Sequence, residues 1–346
     1  MEVEINCLCG QTNQTVRLAA DNFPVDTVLD HSNAARHSTG ILFTSYLPLA
    51  RPPPYQERCR EYKLSEEIFC LFCNKCSCHL FRHQRSTDEY KVASGVIQQS
   101  GDIIKVVEHE GVDETLDGGV VPFIPKVAER QSTTLNEGID GRQMLATKAD
   151  STSARLQPLK EAHQLLAQCH CGGVQFFVTP PNAQSKKLFS RWPDVLVPYH
   201  SGSSENLENA KWWLRANKTK YLAGLCACRS CRLSAGFPIQ AWAFIPKVNL
   251  LNEDKRPFNM ESGCLRRFES SPGVYRDSCM TCGATLFWHS AERPDLIDVS
   301  VALLRAPSGA RAETLLEWDT TRVNFVEEAL DQEFARALQM GPRQGS

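Results

Sequence analysis

The sequence predicts a mainly β protein made of two tandem cysteine-bearing domains followed by a C-terminal amphipathic helix. Three observations carry this. Short apolar runs are bounded by Gly, Pro and Asp, cysteines come in closely spaced pairs, and the cysteine pattern of the N-terminal part returns further along the chain.

A length of 346 residues fits two domains, at about 150 residues each. Charge is balanced, 38 Lys+Arg against 40 Asp+Glu, so no global field recruits nucleic acid or an acidic membrane. The start MEVEINCLCGQ has no apolar leader and no run is long enough to span a bilayer, so a cytoplasmic protein is expected, with the nucleus left open. In a reducing compartment 15 cysteines, an odd number, point to metal sites or reactive thiols rather than disulfides.

In chain order, strands are expected at Thr15–Leu18, Ile41–Leu47, Lys91–Val96 and Ile103–Val107. A polar stretch without aromatics separates the domains, giving 1–127 as the first domain, 128–159 as linker and 160–340 as the second domain. The second domain carries an insertion, Pro180–Lys220, with Trp192 and Trp213, whose basic and aromatic end from Lys211 to Lys220 is expected to pack over a site mouth. Asn324–Glu327 has the form of a helix cap, and Val326, Leu330, Phe334 and Leu338 share one face of a helix expected to pack on the second domain.

The repeat is visible in three blocks. Cys7 and Cys9 match Cys169 and Cys171 at an offset of 162. Leu29–Gly40 matches Leu225–Gly236 at 196, and Cys73, Cys76, Leu80 and Phe81 match Cys279, Cys282, Leu286 and Phe287 at 206. Cys59 and Cys264 pair only with a one-residue gap.

Residues i and i+2 of an extended segment point the same way, so Cys169 and Cys171 can share one ion, and the Cys279–Cys282 turn supplies two more thiolates. Cys7, Cys9, Cys73 and Cys76 repeat this four-sulfur set, with Cys70 and Cys78 as competing ligands. Cys226, Cys228 and Cys231 remain, with no obvious fourth cysteine. Three thiolates leave a coordination position open, unless Cys264 or a histidine closes it. At the same positions the first domain has Asp30, Ser32 and Ala35, so it is expected to keep the frame without the ligands. A metal with three thiolates activates water poorly and suits an incoming thiol better. Arg232, beside the last ligand, either attracts an anionic adduct or is a structural arginine shared with Arg36.

The order CHCG (Cys169–Gly172), LCACRSCRLSAG (Leu225–Gly236) and CMTCG (Cys279–Gly283) resembles the glutathione-dependent formaldehyde-activating enzyme family, also called the centromere protein V/GFA family. The tandem arrangement is similar to that of fungal members. The resemblance implies a β-tent zinc fold in each domain, with structural zinc at Cys169, Cys171, Cys279 and Cys282 and a catalytic zinc at Cys226, Cys228 and Cys231. It implies a carbon–sulfur lyase acting on a glutathione, or other thiol, adduct of formaldehyde or a related small carbonyl compound. The first domain departs from the family at all three catalytic positions, and Ser77 replaces the glycine after its last cysteine. The expected zinc content is therefore two structural ions and one catalytic ion. The expected partner is a small thiol or its adduct, with a protein partner open to the first domain and no nucleic acid. The alternative is a zinc-stabilised protein-interaction module without catalysis.

Overall fold

In the computed structural model the described residues are 1–99, 101–124, 164–190, 200–261 and 263–339. The expected linker 128–159 and Trp192 lie outside them.

Among the described residues the chain is mainly β, and its two large sheets follow one strand order. In the N-terminal half this runs Cys59–Lys63, Ile68–Cys73, His79–Gln84, Glu89–Ala93, Thr44–Pro48, Val25–Asp30 and Ile104–Glu110. In the C-terminal half it runs Leu265–Ser271, Val274–Cys279, Thr285–Ser290, Arg293–Ser300, Gln240–Pro246 and Lys220–Cys226. Leu316–Asn324 pairs in parallel with Lys220–Cys226, as Ile104–Glu110 does with Val25–Asp30. Both strands of each parallel pair are followed by a backbone bond of one kind: His31 N–H donates to Glu110 O at 2.8 Å and Ala227 N–H to Asn324 O at 2.9 Å.

Each half has one short helix directly after its inner strand, α1 (Asn33–Thr39) and α2 (Arg229–Ala235). Their caps correspond. Ser32 Oγ accepts from Ala35 N–H and Cys228 Sγ accepts from Cys231 N–H, while Gly40 and Gly236 end the helices in the left-handed region. These glycines also serve a second purpose. A Cβ at Gly40 would lie 2.1 Å from Thr285 O, and one at Gly236 would lie 2.1 Å from His79 O. Each helix end rests on the backbone of the opposite half, at a distance only glycine allows.

The halves are stitched reciprocally elsewhere. Leu8 N–H donates to Leu233 O at 3.1 Å and His170 N–H to His37 O at 2.8 Å. Arg60 donates to Met280 O, and Arg266 to Asn74 O. One patch on each half contacts the corresponding patch on the other, which is the pattern of a two-fold interface.

Several expected elements shift. Ile41–Leu47 is not one strand, because Ile41–Phe43 forms the turn after the α1 cap and pairing begins at Thr44. Lys91–Val96 divides into the end of Glu89–Ala93 and a single 3₁₀ turn, Ser94–Val96. Asn324–Glu327 is no helix cap: Asn324 ends a strand, Phe325 is left-handed, and α3 (Gln332–Gln339) begins later under an Asp331 cap to Phe334 N–H at 2.8 Å. α3 buries Phe334, Ala335 and Leu338, as an amphipathic helix should, but Phe334 also meets Phe43 of the N-terminal half edge to face. No helix among the described residues is long and apolar enough to cross a membrane.

Candidate metal centres and the cleft beside them

The outer cysteines come from two kinds of turn. Cys7 and Cys9 lie in the turn joining Glu2–Ile5 to Gln14–Arg17, and Cys169 and Cys171 in the turn joining Leu165–Gln168 to Gln175–Val178. Cys73 and Cys76, like Cys279 and Cys282, flank the hairpin turn of the large sheet. Ser77 adopts the left-handed conformation of Gly283, with φ 61° against 79°, so the serine keeps the turn at a conformational cost.

These turns bring the sulfurs together in two groups of four, each within 4.8 Å. Cys7–Cys73 is 3.7 Å, Cys9–Cys73 is 3.6 Å, and Cys171–Cys279 is 3.5 Å. Sulfurs at the corners of a tetrahedron around zinc, with bonds of about 2.3 Å, stand about 3.8 Å apart, so both sets fit a zinc ion. The crowding also argues for a cation. Hydrogen bonding with Cys169 drives the Cys171 thiol down and the Cys282 thiol up, so the sulfurs cannot all ionise together unless a divalent ion compensates them.

Cys70 and Cys78 are outside the first set. Cys70 is buried beside Arg82, and Cys78 donates to His79 O. Cys264 is not in the inner set: its sulfur lies against Gly173 and so next to Cys171 of an outer one.

The inner set is built by a strand end and a helix start. Cys226 is the last residue of Lys220–Cys226, Cys228 is the N-cap of α2, and Cys231 lies in its first turn. Their sulfurs lie within 4.8 Å of one another, with no further His, Cys, Asp or Glu of the described residues in the group. Three thiolates again fit zinc and leave room for one exogenous ligand.

Residues not singled out from the sequence complete the surroundings. Arg276 directs Nη1 and Nη2 at Cys231 Sγ, at 3.6 and 3.7 Å, and Trp242 Nε1 donates to the same sulfur at 3.5 Å. Hydrogen bonds with Cys226 and Cys228, then the Arg276 charge, hold the Cys231 thiol well below the usual range. A cleft of about 360 Å³ opens beside the three sulfurs, with Trp242, Trp288, Val274, Phe325 and Arg276 among its walls.

Arg232 stands elsewhere. Its guanidinium is buried in the contact between halves and donates to Gly95 O and, at 3.1 Å, to Ile97 O. Of the two readings of this residue, the structural one describes what is observed. The Lys211–Lys220 segment is not part of the cleft lining either. Trp212 and Trp213 are wholly buried, Trp213 Nε1 donating to Ser185 O and Trp212 packing on Phe244, because two indoles gain more from the core than from a rim.

The N-terminal counterpart has a different filling. Asp30 accepts from Arg82 at 3.3 Å, and the Arg82 guanidinium lies 4.5 Å from the centre of the Tyr46 ring. Cys70 pairs across the sheet with Arg82 as Arg276 pairs with Trp288, so each half places one arginine at this cross-strand pair, on opposite strands. His31 is wholly buried and shares a 3.0 Å contact with His109.

A fourth block of similarity lies outside the three above: Glu110–Leu116, EGVDETL, matches Asn324–Leu330, NFVEEAL, at an offset of 214. Its glutamates do the same work, Glu114 accepting from Asn33 N–H at 2.7 Å and Glu328 from Arg229 N–H at 2.9 Å. Arg276 left no such signal, since its counterpart is Cys70.

With this geometry in view, the comparison with known families is specific. Residues 213–318 match the family model described as glutathione-dependent formaldehyde-activating enzyme. The matched segment contains the inner cysteines and Cys279 and Cys282, but not Cys169, Cys171 or any of the N-terminal half. No curated protein matches the chain.

Proposed function

We propose that the chain is a zinc-dependent enzyme forming or cleaving the carbon–sulfur bond between glutathione, or another thiol, and a small carbonyl compound. The observation that carries this is the three-sulfur set with a cleft on its open side, inside a segment matching the formaldehyde-activating family model. Cys226, Cys228 and Cys231 would hold the ion, which when bound lowers the pKa of an incoming thiol and keeps it as thiolate. Arg276 offsets the negative charge of three thiolates, and Trp242 fixes the Cys231 sulfur from the side. In the addition, sulfur bonds to the carbonyl carbon, the C=O π bond opens, and the thiol proton ends on oxygen. Cleavage reverses each step, and no electron acceptor is needed.

The matching strand orders, caps and reciprocal contacts support a tandem duplication, with the halves as its two domains. The N-terminal half, which has Asp30, Ser32 and Ala35 at the inner positions, would be a non-catalytic partner bracing α2. Metal analysis tests the scheme: three zinc ions per chain in the wild type and two in Cys226→Ser, with thiol binding lost in the variant. Equal zinc content and unchanged thiol binding in Cys226→Ser would overturn it.

A further inference from the structure

Phe325 is a bulky residue in a conformation that disfavours it. Its φ is 55°, the left-handed region, and the residue is 36% exposed where it lines the cleft with Cys228. In the N-terminal half the matching residue is Gly111, with φ 63°. The backbone turn is thus the same, and there glycine meets it without strain.

The two residues have opposite effects on the site below them. A Cβ at Gly111 would come within 2.7 Å of Ser32 Cα, so the glycine lets its loop close onto the residue matching Cys228. A side chain at this position requires the loop to stand off. In the C-terminal half that side chain is a phenyl ring, and it joins Trp242, Trp288 and Val274 around the cleft. Tyr55, also left-handed and exposed, shows that the conformation alone marks no site, but Phe325 adopts it among the residues lining the three-sulfur cleft. Formaldehyde carries no group that three aromatic rings would recognise.

Resting on the carbon–sulfur reading above, we infer that Phe325, Trp242 and Trp288 form a subsite for an apolar, preferentially aromatic, group on the carbonyl-derived part of the thiol adduct. The natural substrate class is then the adduct of an aromatic or other apolar aldehyde. The addition is balanced as before, with the aldehyde carbon bonded to sulfur and its oxygen protonated.

The test uses the zinc-loaded full chain and two stable thioethers that differ only at this group, S-benzylglutathione and S-methylglutathione, with binding read by calorimetry and by tryptophan fluorescence. The wild type should prefer the benzyl compound by about tenfold, as expected for one ring added to an aromatic site. In Phe325→Gly, which restores the residue of the other half, the preference should collapse towards one. Phe325→Leu, which keeps an apolar side chain, should lie between them. Equal binding of the two compounds by the wild type, failure of both to bind, or a preference that survives in Phe325→Gly overturns the inference. Turnover of glutathione with benzaldehyde and with formaldehyde separates this from the broader reading. If the benzyl preference holds and depends on Phe325 while neither aldehyde is consumed, the subsite stands and the carbon–sulfur chemistry falls.

Discussion

The inner site of the C-terminal half and its N-terminal counterpart share a backbone and differ in what neutralises it. Strand end, helix cap, left-handed glycine and glutamate-capped first turn are common to both. In one half three sulfurs converge beside Arg276; in the other, Asp30 meets Arg82 and no sulfur is present at the three positions. Each half has one fixed guanidinium here: Arg82 matches the single Asp30 carboxylate, whereas Arg276 faces three sulfurs and leaves negative charge that a metal can offset. The frame therefore does not need the inner ion to form, and the inner cysteines are free to serve chemistry.

The outer sets give the opposite lesson, because both halves keep four sulfurs there. They bring an N-terminal turn to a distant hairpin, so a metal held there would close a long loop in each half. The largest effect should follow their loss. Cys279→Ser, and equally Cys73→Ser, should abolish cooperative folding of the half concerned, seen as loss of the thermal transition and release of zinc. A variant that keeps its wild-type transition would show that the outer metal is dispensable.

Next in size is Arg276→Ala, which leaves three thiolates without their nearest fixed cation. Inner-site zinc affinity or turnover should fall by about 10–100-fold, with the outer ions retained, measured by competition with a chelator. Arg276→Lys should recover part of the loss, since charge returns without the two-pronged contact.

Acid should separate the halves. Burial, then the neighbouring His109, lowers the His31 pKa to about 4, whereas its counterpart is Ala227. The folded value lies below the ordinary one, so between pH 6.5 and 4 the unfolded chain binds more protons. Stability is whole above pH 6.5 and falls with pH, by about 3 kcal/mol for this group. Denaturant midpoints across that range should show the slope, and His31→Ala should reduce it by this share while leaving that of His79, whose pKa burial also lowers to about 4.

The smallest effect on metal binding should come from Arg82→Ala. The Asp30–Arg82 pair is 18% exposed on each side, between an exposed and a fully buried pair, so removing one member should cost about 2 kcal/mol. Zinc content should stay the same. A fall in zinc would mean that this site takes part in metal binding after all.

Much of the site could be read without coordinates. Cysteine spacing identified the three groups of ligands, because a turn of two or three residues fixes which sulfurs can share an ion whatever surrounds it. The repeat exposed the missing ligands at Asp30, Ser32 and Ala35 for the same local reason. Block boundaries are less legible: NFVEEAL has the pattern of a helix cap, yet Asn324 ends a strand and Phe325 is left-handed.

What lay beyond the sequence was everything set by approach between distant segments. That Gly40 and Gly236 belong to a contact between halves, that Arg232 serves that contact, and that Arg276 stands over Cys231 depend on residues far apart in the chain. Local spacing determines which groups can turn towards one another within a few residues. Packing of one half on the other decides which face of each residue is covered, and so which arginine braces the fold and which one reaches the sulfur.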